Sequence, residues 1–119
     1  MSEVGTKNDK GKPQLDLIPV EFLIEVGKAL TYGAIKYSKY NFRAGISYSR
    51  LLSAAKRHIE LEIAGIESDK ESGLSHLAHA AASLAMLAFM KVHRKSFNDL
   101  YQYTDEEKKE IEKMMYEHN

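Results

Sequence analysis

Three of the five histidines in this chain of 119 residues, His58, His76 and His79, fall close together between Arg57 and Ser83. His76 and His79 are three apart, so on a helix they share a face. Nearly everything that follows is small or apolar: Ala80, Ala81, Ala82, Leu84, Ala85, Met86 and Leu87. That composition predicts a helix buried on most sides. Polar groups in such a helix are costly unless they find partners. Ser72, His76, His79 and Ser83 follow a spacing of four, three and four, which draws one polar seam along an apolar rod. Before it runs an acidic loop, Gly65 to Gly73, with Glu67, Asp69 and Glu71. A divalent metal needs oxygen or nitrogen donors converging from separate elements. His76 and His79 supply nitrogen, Asp69 and Glu71 supply oxygen, and His58 and Glu62 supply one of each from the preceding helix. A bland alternative stands beside this: the imidazoles bond their neighbours and fix helix register. Two of them on one seam beside an acidic loop favour a site.

Elements that position these groups can be read from apolar spacing. Lys12 to Pro19 is an extended entry, because the residue before each proline is pushed out of the helical region, and Pro19 suits the first turn of a helix. Val20, Leu23, Ile24, Gly27, Leu30 and Ala34 recur at three and four and predict a first helix to about Tyr37. Gly27 and Gly33 weaken it by roughly 1 kcal/mol each, which leads us to expect another backbone passing close by. A second helix, capped by Ser47 or Ser49, carries Leu51, Leu52, Ala55, Ile59 and Ile63 on one stripe and ends at Gly65. A third starts near Ser72 or Gly73 and runs to about Arg94. Thr104 and Glu107 form a capping box for a last helix, about 105–117, whose narrow apolar face predicts packing on the bundle or on a second subunit. No strand pattern and no internal repeat competes. The expected fold is all-α, a bundle of about four helices, with a mobile tail over residues 1–12 and one domain over 13–119.

A second unusual stretch, Tyr32 to Gly45, mixes Tyr32, Tyr37, Tyr40 and Phe42 with Lys36, Lys39 and Arg43. Aromatics beside cations can stack a base and neutralise phosphates. A helix end with solvated lysines and packing aromatics is the plainer reading on composition alone.

With 17 basic and 17 acidic residues the formal net charge is zero, so no broad basic face for nucleic acid is expected. The absence of cysteine excludes disulfides and thiolate metal sites and fits a reducing compartment. A polar start without an apolar core argues against a signal peptide. The longest apolar run, around Leu77 to Met90, is too short to span a bilayer. A soluble cytoplasmic protein is expected. The chain has no H-E-x-x-H, Walker loop or G-x-S-x-G, and no adjacent His-Asp pair of the kind on which one class of metal phosphohydrolase is built.

Taken in order, several motifs form a specific pattern. They are Lys12-Pro13-x-x-Asp16-Leu17-Ile18-Pro19, Tyr32-Gly33-Ala34-x-Lys36-Tyr37, Asn41-Phe42-x-x-Gly45, Arg57-His58, and Asp69-x-Glu71-Ser72-Gly73-Leu74-x-His76-Leu77-x-His79-Ala80. This pattern, over about residues 12–90, resembles the phage dATP/dGTP diphosphohydrolase family, related to the all-α MazG-like nucleoside triphosphate pyrophosphohydrolases. The resemblance implies cleavage of a purine deoxynucleoside triphosphate between its α and β phosphates, giving the monophosphate and pyrophosphate. It implies one or more Mg²⁺ or Mn²⁺ ions and a phage-infected bacterial cell or a bacterium as the setting. Residues that carry over are Arg57, His58, Asp69, Glu71, His76 and His79, with Lys36, Tyr37 and Asn41 upstream. Ile66 stands where the family usually has glutamate, Phe42 where tryptophan is commoner, and histidines where the MazG-like group has its second acidic pair.

The expected division of labour is therefore this. His58, Asp69, Glu71, His76 and His79 hold metal. Glu71 or Glu62 acts as base, Glu71 by preference. Lys36, Arg57 and Lys39 bind phosphates, and Tyr37, Tyr40 and Asn41 hold the purine. The alanine-rich third helix needs more cover than one small domain supplies, so a homo-oligomer, dimer or tetramer, is expected with the pocket near its interface. Two rivals keep to the same residues: a protein that sequesters nucleotide without cutting it, and a helical oligomer whose polar seam only locks register.

Overall fold

The structure, a computed structural model, describes residues 4–117. Residues 1–3 of the expected tail, and 118–119 of the expected domain, lie outside the described residues. Four α-helices form: α1 (Val20–Lys36), α2 (Tyr48–Ile63), α3 (His76–His93) and α4 (Asp105–Tyr116). Short 3-10 turns occur at Leu15–Leu17, Asn41–Ala44 and Lys95–Phe97. Among the described residues there is no strand, only an isolated antiparallel bridge between Ser68 and Ser75.

α3 is the centre, packing on α2 along one side and on α1 along the other. Small residues allow the approach to α1. Ala78 and Ala82 of α3 meet Ala29 of α1, with Leu30 and Leu74 closing the seam. On the other side Met90, wholly buried, sits among Tyr48 and Leu51 of α2, with Phe42, Ile46, Met86 and Phe97 around it. Burying one such side chain is worth about 1.5–3 kcal/mol. The Tyr48 hydroxyl donates to the Met90 carbonyl at 3.2 Å, so the polar tip of a buried ring is satisfied.

Two ends are tied by residues distant in sequence. Ser47 occupies the N-cap position of α2 without a side-chain bond. The cap comes instead from Asp99, which accepts from the Ser49 backbone N–H at 2.9 Å and from its hydroxyl. Gly45 (φ +124°) lets the Phe97 ring lie against its Cα; a Cβ there would sit 2.1 Å from the ring.

Three expectations are corrected. α3 begins at His76 rather than near Ser72 or Gly73, because the preceding residues close a turn of their own. Asp69 N–H donates to the Leu74 carbonyl and Gly73 N–H to the Asp69 carbonyl, both at 2.8 Å. No backbone approaches Gly27 or Gly33: a Cβ at either would have no neighbour within 4 Å, because their bare side faces a cavity. The α2 stripe is buried only at Leu51 and Ala55, leaving Ile59 and Ile63 exposed. α4 forms where expected, with both arms of its capping box, yet packs extensively on no other element.

Hydrogen bonds from Ser49 hold the Asp99 carboxyl below its ordinary value of 3.8. A depressed carboxylate contributes stability that is complete above that value and fades as pH falls through the folded one. Asp99→Asn should therefore lower the melting temperature at neutral pH, and the gap to wild type should close as pH falls below 4. Thermal melts from pH 7 to 3 check this; a gap independent of pH would refute the capping role.

Candidate metal and nucleotide site

The start of α3 builds the site. The N–H groups of His76, Leu77 and Ala78 have no carbonyl one turn back within the helix, and each is met. His76 N–H donates to the Glu67 carbonyl at 2.9 Å, and His79 N–H to the Ser75 carbonyl at 3.4 Å. Leu77 N–H donates to Glu62 Oε1 at 3.1 Å, and Ala78 N–H to the capping Ser75 Oγ at 3.1 Å. The Ser75 hydroxyl in turn donates to Glu25 Oε1 of α1 at 3.1 Å. His76 and His79 are thus fixed in height and direction by loop, α1 and α2 together.

Within this frame three imidazoles crowd one point. The His58 ring lies 5.0 Å from His76 and is stacked on His79 at 4.9 Å with an interplanar angle of 19°. His58 Nδ1 and His76 Nδ1 are 2.8 Å apart, and His76 is buried. Burial, then the charges of His79 and His76, lowers the His58 pKa from its ordinary value, so the neutral ring that can donate a lone pair is favoured.

The acidic turn supplies the oxygen. Asp69 Oδ2 accepts from the Ser72 N–H at 2.9 Å and from its hydroxyl at 3.0 Å. These bonds, the backbone one foremost, hold the Asp69 carboxyl below the usual range. Ser72 Oγ also accepts from Leu74 N–H at 3.2 Å and lies 2.6 Å from His79 Nε2. A hydroxyl has one proton; since it goes to the carboxylate, His79 must donate from Nε2. An aspartate–serine–histidine relay results, which orients His79 by a hydroxyl.

Ligand atoms of His58, Asp69 and His76 all lie within 4.8 Å of one another. Two imidazole nitrogens and a carboxylate oxygen, from α2, the turn and α3, make a donor set that fits a borderline divalent cation. His79 stands outside this trio, in the shell that orients it.

A cavity of about 700 Å³ opens beside the cluster. Of the residues singled out from sequence, Lys36, Tyr37, Lys39, Tyr40, Asn41, His58, Asp69, Glu71 and His79 line it. Glu71 accepts from Lys36 Nζ and, at 3.3 Å, from the Tyr32 hydroxyl. The Lys36 ammonium keeps Glu71 below the usual carboxylate range, and that bond raises Lys36 in turn. Both groups are exposed, so the pair adds little to stability. Tyr40 adopts φ +64°, ψ +18°, a left-handed conformation unusual for a bulky residue and costing about 1–3 kcal/mol.

Besides His76, buried within the cluster, two residues do not line the cavity. Arg57 bonds Ser53 one turn back at 3.3 Å, and Glu62 is occupied at the α3 N-terminus. Conversely, Tyr32, Arg43 and Ser83 line the cavity without having been assigned a role. Tyr32 was legible, since it stands four before Lys36 and so on the same helix face; Arg43 lay within the aromatic–basic stretch, and Ser83 on the seam.

The family model described as dATP/dGTP diphosphohydrolase, N-terminal, matches residues 2–100. The chain belongs to that family. A relative named dATP/dGTP diphosphohydrolase, from Salmonella phage PMBT28, is 41% identical over 96 residues. That match takes in 80% of this chain and 32% of the relative, so the chain spans about a third of the length of that relative. No solved structure matches.

If the trio is a metal site, His76→Ala should weaken Mn²⁺ binding at least tenfold, a ligand's loss costing no less than that of its supporting shell. Glu62→Gln should lower the melting temperature and weaken affinity less than His76→Ala does. Titration calorimetry, with circular dichroism as the folding control, decides; equal affinities for wild type and His76→Ala would remove the site.

Proposed function

We propose that this chain hydrolyses a purine deoxynucleoside triphosphate, dATP or dGTP, to the monophosphate and pyrophosphate. One observation carries the reading: a single cavity joins the aromatic–basic wall of Tyr37, Lys39 and Tyr40 to the cluster of His58, Asp69 and Glu71. The name of the phage relative supports the substrate class.

A bound divalent cation would offset charge developing on the phosphates and acidify the attacking water. His58, Asp69 and His76 would hold it, and imidazole donors suit Mn²⁺ better than Mg²⁺. The chain's own residues do the rest. Lys36 exchanges its Glu71 partner for a phosphate oxygen. The Glu71 carboxylate so released is the proton acceptor. Lys39, 5.7 Å from the Tyr40 ring centroid, brings a second ammonium to the phosphates, while Tyr37, Tyr40 and Asn41 hold the base. His79 orients the trio through Ser72. Arg57 and Glu62 are left to the scaffold.

Asp69→Asn should then reduce pyrophosphate release by about 10²-fold or more, the usual scale for removing a group that acts in the transition state. Chelator should abolish release from wild type, and Mn²⁺ should restore it. The rival reading, a protein that sequesters nucleotide uncut, predicts no pyrophosphate at all and a triphosphate recovered intact after denaturation.

We further propose a MazG-like homo-oligomer of this single domain, working in the cytoplasm of a phage-infected or bacterial cell. Among the described residues no helix is long and apolar enough to cross a membrane. The radius of gyration is 18.7 Å, against about 13–14 Å for a compact chain of this length. Phe22, Leu23, Ile24, Ile59, Leu77 and Leu84 all stay more than 40% exposed, an apolar surface that a second copy would cover. Sedimentation equilibrium at micromolar concentration should give a dimer or tetramer; a monomer would contradict the assembly without touching the chemistry.

A further inference from the structure

We propose that Arg43 reads the base, donating its guanidinium N–H groups to the O6 and N7 acceptors of guanine. The inference rests on the nucleotide reading above and goes beyond it by naming the residue that tells one purine from the other.

Arg43 lines the same cavity as the histidine cluster, but its charge is handled differently from the other cations there. Its guanidinium carbon lies 4.8 Å from the Phe89 ring centroid, 5.1 Å from Tyr40 and 5.8 Å from Phe42. Three aromatic rings therefore flank one planar cation, which stays exposed to solvent. Contact with ring faces stabilises the charge without using its donors, which lie in the plane of the group and point outward. Among the described residues no carboxylate pairs with Arg43 and no side chain or carbonyl accepts from it, whereas Lys36 is held by Glu71. Its backbone is anchored too, as Arg94 Nε donates to the Arg43 carbonyl at 3.1 Å. The result is a positioned fork of unused donors at the wall of a cavity.

Its position separates base from phosphate. Phe89 stands ten residues beyond His79 on α3, which is about 15 Å along the axis at 1.5 Å per residue. That is too far for a phosphate held at the histidine cluster. The intervening floor is Ala82, Ser83 and Met86, and Phe42 and Ile46 close the Arg43 end. A largely apolar floor running to a guanidinium flanked by rings suits a flat heterocycle with acceptors on its edge. Guanine offers two acceptors, O6 and N7, in the spacing of an arginine fork; adenine replaces the first with an amino donor, which meets the cation badly.

The test uses binding of deoxynucleoside monophosphates to the whole chain, so it does not depend on hydrolysis. Wild type should bind dGMP more tightly than dAMP by about 5- to 100-fold, the usual worth of a bidentate pair. Arg43→Lys keeps the charge but not the fork and should erase the preference. Arg43→Gln, whose amide matches the N6 and N7 edge of adenine, should turn it toward dAMP. A wild type that binds neither, or binds both equally, overturns the proposal, as does an Arg43→Lys variant whose ratio is unmoved or that loses both ligands in equal measure. The ratio of kcat/KM for dGTP and dATP should move in parallel. If dGMP is preferred through Arg43 but no triphosphate is cut, the hydrolytic reading fails and base recognition stands; if triphosphate is cut and the ratio ignores Arg43, the reverse holds.

Discussion

His58 and His76 meet Nδ1 to Nδ1 at 2.8 Å, and two nitrogens at that separation cannot both carry a proton. At least one ring is neutral with its lone pair turned inward. His76 is almost completely covered, while His58 opens onto the cavity. Interiors tolerate such a group only when its partners are fixed. Much of the local architecture does that fixing: the loop carbonyl on the His76 N–H, the Ser75 cap, the Glu62 carboxylate behind it, and the serine that keeps His79 in one tautomer.

Charge at the mouth of the cavity is organised by the same logic at lower cost. Lys36 and Glu71 neutralise each other in the open, where water already screens them. Asp69 stays ionised by backbone and hydroxyl bonds rather than by a fixed cation, so its negative charge remains available to a divalent ion. The Arg43 guanidinium lies against ring faces, which leave its N–H donors unused. One cavity thus presents three ways of keeping an ionised group ready, and each leaves a different atom free.

Much of this was legible from residue types alone. The spacing of Ser72, His76, His79 and Ser83 marked the seam, and Thr104 with Glu107 marked α4, because helical periodicity and capping are local properties. The error in the start of α3 has a local cause of another kind: Asp69, Ser72 and Gly73 prefer their own turn to helix, and the seam survives because the Ser72 side chain reaches back to His79. What composition could not show was assignment among similar residues. Arg57 beside His58 and Glu62 four later looked like site residues, but one side chain runs along its own helix and the other is consumed by an α3 N–H. Asp99 capping α2 from fifty residues away left no trace in periodicity at all.

α1 and α2 both lean on α3, and neither leans extensively on the other. The gap that Gly27, Gly33 and Tyr32 face from one side and His58 from the other is therefore a cleft with a single spine. On one side the spine presents Ala78 and Ala82 to Ala29 of α1, and on the other Met90 to Tyr48 and Leu51 of α2. Met90 takes no part in the alanine seam that seats α1. The ion pair from Lys36 to Glu71 ties α1 to the acidic turn at the mouth of that cleft.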